Sequence, residues 1–501
     1  MIRSTENAEL HSETDPLGRI DHPTPHPDAQ HREPPRWATT PMTAETLLPI
    51  DRRGELREMI SMAVPVVITT GARAMMDVAD YIMIARLPTH DAQAAILPAQ
   101  TLMWSYIVIG LGVTSMINTY ASQCLGRGQH RECSAYAWQS LYLAALFGAI
   151  GVAVIPLMPT LVRLVGHDPQ VQEAEIAYLQ IALLTTGPTI AGQGLGWFFI
   201  GVHRPWPTSW SAIEANIVNV LCGIVLIFGY LGFEPMGIRG AAIATLIATI
   251  YRVVRLGCTM LLTSPNAHFQ TRSTWRPSWT RFRELLRTGM PYGVQWMSEV
   301  VVWAIFVNVL VGRTFGTAEL IATNTAWQYL RIAFLPSIGV GQALTAVVGR
   351  AIGAGDPERA MRQVRIAAWM TLIYMGSLGV IYALFGRELI SWFNDDPETL
   401  RVGASIMICT ALFQLFDSLG ITYSAALRGA GDTFVPSVFF IASTWLIVVG
   451  GGWIMTKAFR QMGSVGPWLS ASVLFVVTAL FLWYRWNGRA WMKIDLLSKR
   501  S

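Results

Sequence analysis

Long apolar runs constrain this chain more than any other feature. A helix needs about 20 mostly apolar residues to cross a bilayer. Twelve stretches meet that length: 58–86, 95–122, 133–158, 173–201, 207–231, 237–263, 285–312, 317–349, 363–386, 398–427, 433–457 and 465–485. In lipid every backbone polar group must be satisfied internally, so such runs fold as helices. Composition agrees: of 501 residues, 52% are hydrophobic and 14% charged. Soluble proteins carry about 25% charged residues. The expected fold class is therefore an all-α polytopic membrane protein with twelve transmembrane helices. The net charge of +5 is modest, and no nucleic-acid partner is expected.

The twelve segments form two sixes. "MAVP", ending at Pro65, matches "TGMP", ending at Pro291, at offset 226. "LGRGQHRE" from Leu125 matches "IGAGDPER" from Ile352 at offset 227. "GVHRPWP", ending at Pro207, matches "GAGDTFVP", ending at Pro436, at offset 229. "MGIRG" from Met236 matches "MGSVG" from Met462 at offset 226. Four anchors in order at nearly one spacing indicate duplication. Six helices per repeat give both halves the same orientation, an arrangement found among secondary transporters. The expected layout is a tail over 1–50, a lobe over 51–265, a basic linker over 266–284, a second lobe over 285–488 and a tail over 489–501.

With the amino terminus inside, 23 Lys and Arg fall on inside segments, among them Arg252 and Arg255, against eight outside. That bias places both termini in the cytoplasm, in the plasma (cell inner) membrane. The first fifty residues, with "DHPTPHPDAQHREPPRW", are too poor in aliphatics to fold alone. His22, His26 and His31 could bind a metal weakly, but a disordered tail explains them. Cys124, Cys133, Cys222, Cys258 and Cys409 form no CxxC or metal-ligand spacing and read as free thiols.

A charge near the bilayer centre costs at least about 2.5–3.5 kcal/mol, so each is a functional candidate. The candidates are Arg73, Asp77, Asp80, Glu214, Glu299, Arg331 and Asp417. Asp77 and Asp80 share a helical face. They could act jointly as a proton acceptor or sodium cage, or Arg73 could neutralise Asp77 and leave Asp80 as the free acid. Arg73 and Arg331 are candidate counter-ions, and Glu214 lies near a helix end where water could reach it. The repeat maps Glu299 onto Arg73 and Asp417 onto Thr189, so the two halves differ in charge. No Walker loop, GxSxG or HExxH is present, so neither an enzyme nor a cofactor is expected.

Several stretches are specific enough to suggest a family: "LRGAGDTFVP", "GRAIGAGDPERA", "GMPYGVQWMSE", "NIVNVLCGIVLIFG" with "MGIRGAAIAT", and "MDVADYIMIARL". Over residues 55–485 the chain resembles the multidrug and toxic compound extrusion (MATE) family. The resemblance implies two pseudo-symmetric six-helix bundles in a V. It implies export of small amphipathic, often cationic compounds by an antiporter coupled to Na+ or H+, expected to act as a monomer in the lipid bilayer. Glu299 and Asp417 match the second-lobe cation site of one branch. Asp80, Asn219, Gly223 and Thr245 match the first-lobe set. Gly223 departs from it and removes one oxygen ligand, a loss for which Asp77 could compensate. The only metal implied is a transient Na+ at these acids. The alternative is a flippase for a lipid-linked or amphipathic metabolite. It ranks lower because cleft acids outnumber cleft bases and twelve helices are counted rather than about fourteen. The other large twelve-helix facilitator class carries a DRxGRR-like run where this chain has "GRGQHREC".

Overall fold

The computed structural model describes residues 52–86, 90–165 and 168–497. The His- and Pro-rich tail lies outside them, as does the side chain of Asp77. Helices α1 (Arg52–Ala85), α2 (His90–Gly126) and α3 (His130–Val154) come first. A broken helix follows, Pro169–Ala182 and Thr186–Gly201, taken together as α4. Then come α5 (Trp206–Phe228), α6 (Ile238–Leu262), α7 (Trp279–Ile305), α8 (Thr317–Gly353), α9 (Pro357–Ser391) and α10 (Pro397–Ala430). A helix over Phe434–Ser443 continues through a π-helical stretch into Gly452–Ala458 as α11, and α12 spans Val465–Asn487. The described residues contain no strand.

Eleven described helices are long and apolar enough to cross a bilayer. The twelfth segment is α4, interrupted by a 3-10 turn at Leu183–Thr185. Pro188 has no N–H for the carbonyl one turn back, and the local tightening spares that carbonyl a missing partner. Helix α7 begins at Trp279, inside the stretch expected as linker, and runs on through a π turn over Phe306–Gly312. The residues after α12 also pack: Trp491 is buried and stacks on Trp486 at 4.5 Å, while Asp495 pairs with Arg127 at 2.6 Å.

The two halves meet along two crossings of small residues. A Cβ on Gly293 of α7 would lie 2.6 Å from the Ile109 carbonyl oxygen of α2. One on Gly339 of α8 would lie 2.9 Å from the Val67 Cα of α1. Without Cβ atoms the backbones approach closely, which is how helices associate when lipid offers no hydrophobic drive.

At the Arg-rich end the halves are tied by polar contacts. Glu58 of α1 accepts from Arg359 at 2.7 Å, with Arg350 at 3.7 Å and His203 at 4.0 Å. Glu55 pairs with Arg362 at 3.0 Å. The Gln123 and Asn118 amides of α2 donate to the Gly429 and Gln342 carbonyls, each at 2.9 Å. All five cysteines are free thiols, as expected.

Candidate functional site

In the second half, α7 places Glu299 and α10 places Asp417, both half-buried. Glu299 lies close enough to Asp417 to act on it electrostatically, and its carboxyl sits against the Trp303 indole. Asp417 lines a small cavity, about 30 Å³, walled by Trp303, Trp327, Phe413, Trp468 and Phe475. The rings interlock: Trp303 lies 4.9 Å from Trp327, and Phe413 lies 4.6 Å from Phe475. One turn before Asp417, Gln414 is fully buried and neither of its amide atoms has a hydrogen-bond partner. Arg331 is half-buried on α8.

This arrangement gathers negative charge, ring faces and an idle amide in one place. Ring faces attract cations. Two carboxyl groups beside each other favour a cation or a shared proton between them. Gln414 was legible only as a polar residue in an apolar run. Its facing cavity depends on helices distant in sequence.

In the first half, Asp80 of α1, Asn219 of α5 and Thr245 of α6 come together. The Thr245 hydroxyl donates to Asp80 Oδ2 at 3.2 Å and accepts from Asn219 Nδ2 at 3.3 Å. Asn219 Oδ1 is buried without a partner. Gly223 lies one turn beyond Asn219, and the volume a side chain there would need is filled by Met83. A Cβ on Gly223 would meet Met83 Cε at 2.8 Å and Sδ at 3.0 Å. A thioether is a soft ligand and a poor substitute for oxygen on a hard cation.

A cavity of about 270 Å³ opens beside this cluster. Most of its wall comes from α1, α2, α4, α5 and α6, with Trp296 and Gln342 from the second half. Thr189, the repeat counterpart of Asp417, lines it too. Here the structure corrects the placement of one cation. Arg252, counted from sequence with the inside loop cations, lies within α6 and faces the cavity. The described walls therefore hold two guanidiniums, Arg73 and Arg252, against one carboxylate, Asp80. Among the described walls of this cavity, acids do not outnumber bases. Arg73 lies 4.4 Å above the Trp104 ring. Glu214 is outside the set, accepting from Arg255 at 2.9 Å and Tyr251 at 3.0 Å.

Comparisons with known proteins agree with this architecture. The sequence profile of the MatE family matches residues 65–228 and 297–454. The probable multidrug resistance protein NorM of Thermotoga maritima is 25% identical over 456 residues, covering 88% of this chain and 96% of the relative. That of Rhizobium meliloti is 27% identical over 438 residues, covering 86% and 92%. A crystal structure of MATE in the straight conformation superposes with a TM-score of 0.79 at 19% identity, covering 88% of this chain and 97% of that one. A MOP superfamily transporter from Pyrococcus furiosus, described as having a binding pocket of reverse polarity, superposes with a TM-score of 0.78 at 18% identity. At such identities the structural likeness is one of fold.

Proposed function

The chain belongs to the MatE family, and on that premise we propose that it is a secondary antiporter. It exports small amphipathic, often cationic compounds in exchange for Na+ or H+. The observation that carries this reading is Asp417 at an aromatic-walled cavity, with Glu299 within electrostatic reach. Placing two carboxyl groups there costs several kcal/mol, and a structural scaffold has no use for the expense. Two carboxyl groups that can release and regain a cation have one.

The proposed cycle uses that site twice. With both groups ionised, an organic cation is held by charge and by ring faces. Once the halves rock apart on the other side, a proton or Na+ occupies the acids and weakens the organic cation's hold. The ion gradient drives the exchange, and the ion shifts the balance between the two states only by its differential affinity for them. Asp80, Asn219 and Thr245 are a second candidate cation site, lacking the ligand that Met83 displaces. We place the protein in the cell's inner membrane as a monomer with both termini cytoplasmic. The loop arginines support that orientation.

Proteoliposomes loaded with a fluorescent organic cation test the reading. Under an Na+ gradient alone or an H+ gradient alone, one must drive movement of the cation against its own gradient. If neither does, the antiport reading is wrong.

A further inference from the structure

We propose that the first-half cavity is an oxyanion subsite, in which Arg252 and Trp197 hold the carboxylate, sulfonate or phosphate group of an amphipathic ligand. The subsite lies on a substrate's path only if the transport reading above holds, but its binding chemistry stands apart from transport.

A guanidinium presents five N–H donors in a fixed fork and no acceptor. In Arg252 only Nη1 has a partner, Gln193 Oε1 at 3.4 Å. Both Nε and Nη2 are buried without one. Those two atoms form one edge of the fork, whose parallel N–H bonds match the two oxygens of a carboxylate or two of a phosphate. The indole Nε1 of Trp197 is likewise buried and unpartnered. An indole nitrogen can only donate. Arg252 and Trp197 line the same cavity, so three idle donors face it from these two side chains.

Charge sharpens the case. Water could satisfy the N–H groups but not balance the guanidinium. Arg73 lies close enough to Arg252 to act on it electrostatically, and the described walls set these two guanidiniums against the single carboxylate of Asp80. Helix α4 packs against this side chain: the Cβ position of Gly196 lies 3.6 Å from Arg252 Nη2, and that of Gly192 3.8 Å from its Cγ. The rest of the wall includes Met103, Trp104, Ile107 and Leu111, which suits an aromatic or aliphatic body.

Two probes differing only in the headgroup test this on the purified full-length protein. Dansylglycine carries a carboxylate, and dansylglycinamide carries a neutral amide on the same body. Binding is read by energy transfer from tryptophan. The wild type should bind the carboxylate about tenfold tighter or more, as expected of a charge-assisted bidentate contact. Arg252→Gln should remove that preference while leaving the amide's affinity unchanged. Arg252→Lys should keep part of it, as a point charge without the fork. Trp197→Phe should weaken carboxylate binding alone. Equal affinity of the wild type for both probes overturns the proposal, as does an Arg252→Gln variant that keeps the preference. If that variant does not fold, the wild-type ratio and Arg252→Lys still decide. Nanodiscs separate the two sources of headgroup. Competition by phosphatidylglycerol but not phosphatidylcholine, lost in Arg252→Gln, assigns a lipid headgroup; lack of competition with the preference intact assigns a dissolved anion. Failure of gradient-driven transport would leave these binding results standing.

Discussion

Gly112 of α2 and Gly293 of α7 pack backbone to backbone: a Cβ on Gly112 would overlap the Gly293 Cα and lie 2.7 Å from its amide nitrogen. The relation has an image. Offset 226 carries Val67 onto Gly293, and offset 227 carries Gly112 onto Gly339. Gly339 meets Val67 in the same manner. The duplication read from four sequence anchors therefore reappears as two equivalent crossings between the halves.

Gly112→Ala should destabilise the protein by about 1–3 kcal/mol or more, because the new methyl meets backbone that cannot rotate away. Gly71 on α1 is the control, since nothing lies within 4 Å of its Cβ position. Gly71→Ala should be neutral or slightly stabilising. Thermal unfolding in detergent compares the two, and equal midpoints would show that the crossing tolerates a Cβ.

Asp417→Asn should abolish coupled efflux, with a fall of at least about tenfold, while unfolding temperature holds or rises. An amide keeps the shape and removes a charge that is costly to place in the membrane. The measurement is efflux of a fluorescent cation from cells with matched expression. Wild-type rates in the variant would remove Asp417 from the coupling site.

The contacts of Glu58 predict a pH-sensitive seam. Burial, with the nearby Arg350 guanidinium, pushes the His203 imidazole down to about 4. The closed seam therefore holds His203 neutral, and an opened seam binds the proton more readily. Its contribution is full above about pH 6.5 and is lost as pH falls toward 4. Cys124 is buried beside Gln123 at this seam. In a background with Cys222 and Cys258 replaced by Ser, maleimide should modify Cys124 faster at pH 5.5 than at pH 7, after correction for thiolate content. His203 has φ of 59°, a conformation Asn tolerates, so His203→Asn should flatten that dependence. Glu58→Gln should speed labelling at both pH values by about fivefold, the equivalent of roughly 1 kcal/mol.

The twelve segments were legible because lipid demands length and apolarity, and both are local properties of a sequence. Some ends fell close to the observed ones where Pro marks a turn, as at Pro397, where 398 was expected, while others were missed, as at Pro357, where 363 was expected. Arg252 was not legible. A charge ten residues from the end of an apolar run reads as loop-proximal, and only helices far away in sequence form the cavity that it lines. The break in α4 was foreshadowed by Pro188, though not its 3-10 form. Asp80, Asn219 and Thr245, which the family resemblance named, are joined by hydrogen bonds through the Thr245 hydroxyl. The filling of the Gly223 gap by Met83 needed coordinates, since no spacing rule links a thioether on α1 to a glycine on α5.

That filled gap leads to the last prediction. The space at Gly223 is closed by the far end of one flexible side chain and not by backbone, so it can be reopened. Gly223→Asn combined with Met83→Ala would add an amide oxygen beside Asp80, Asn219 and Thr245 without crowding. Hard cations such as Na+ bind oxygen ligands and gain from each one added. The double variant should therefore gain more thermal stability from Na+ than the wild type does, both measured against choline at equal ionic strength. An added ligand that raised affinity tenfold would contribute up to about 1.4 kcal/mol at saturating ion. Met83→Ala alone should show no such gain, because it opens space without supplying an oxygen. If the double variant responds to Na+ no more than Met83→Ala, the Asp80 cluster is a structural hydrogen-bond network, and coupling belongs to Glu299 and Asp417 alone.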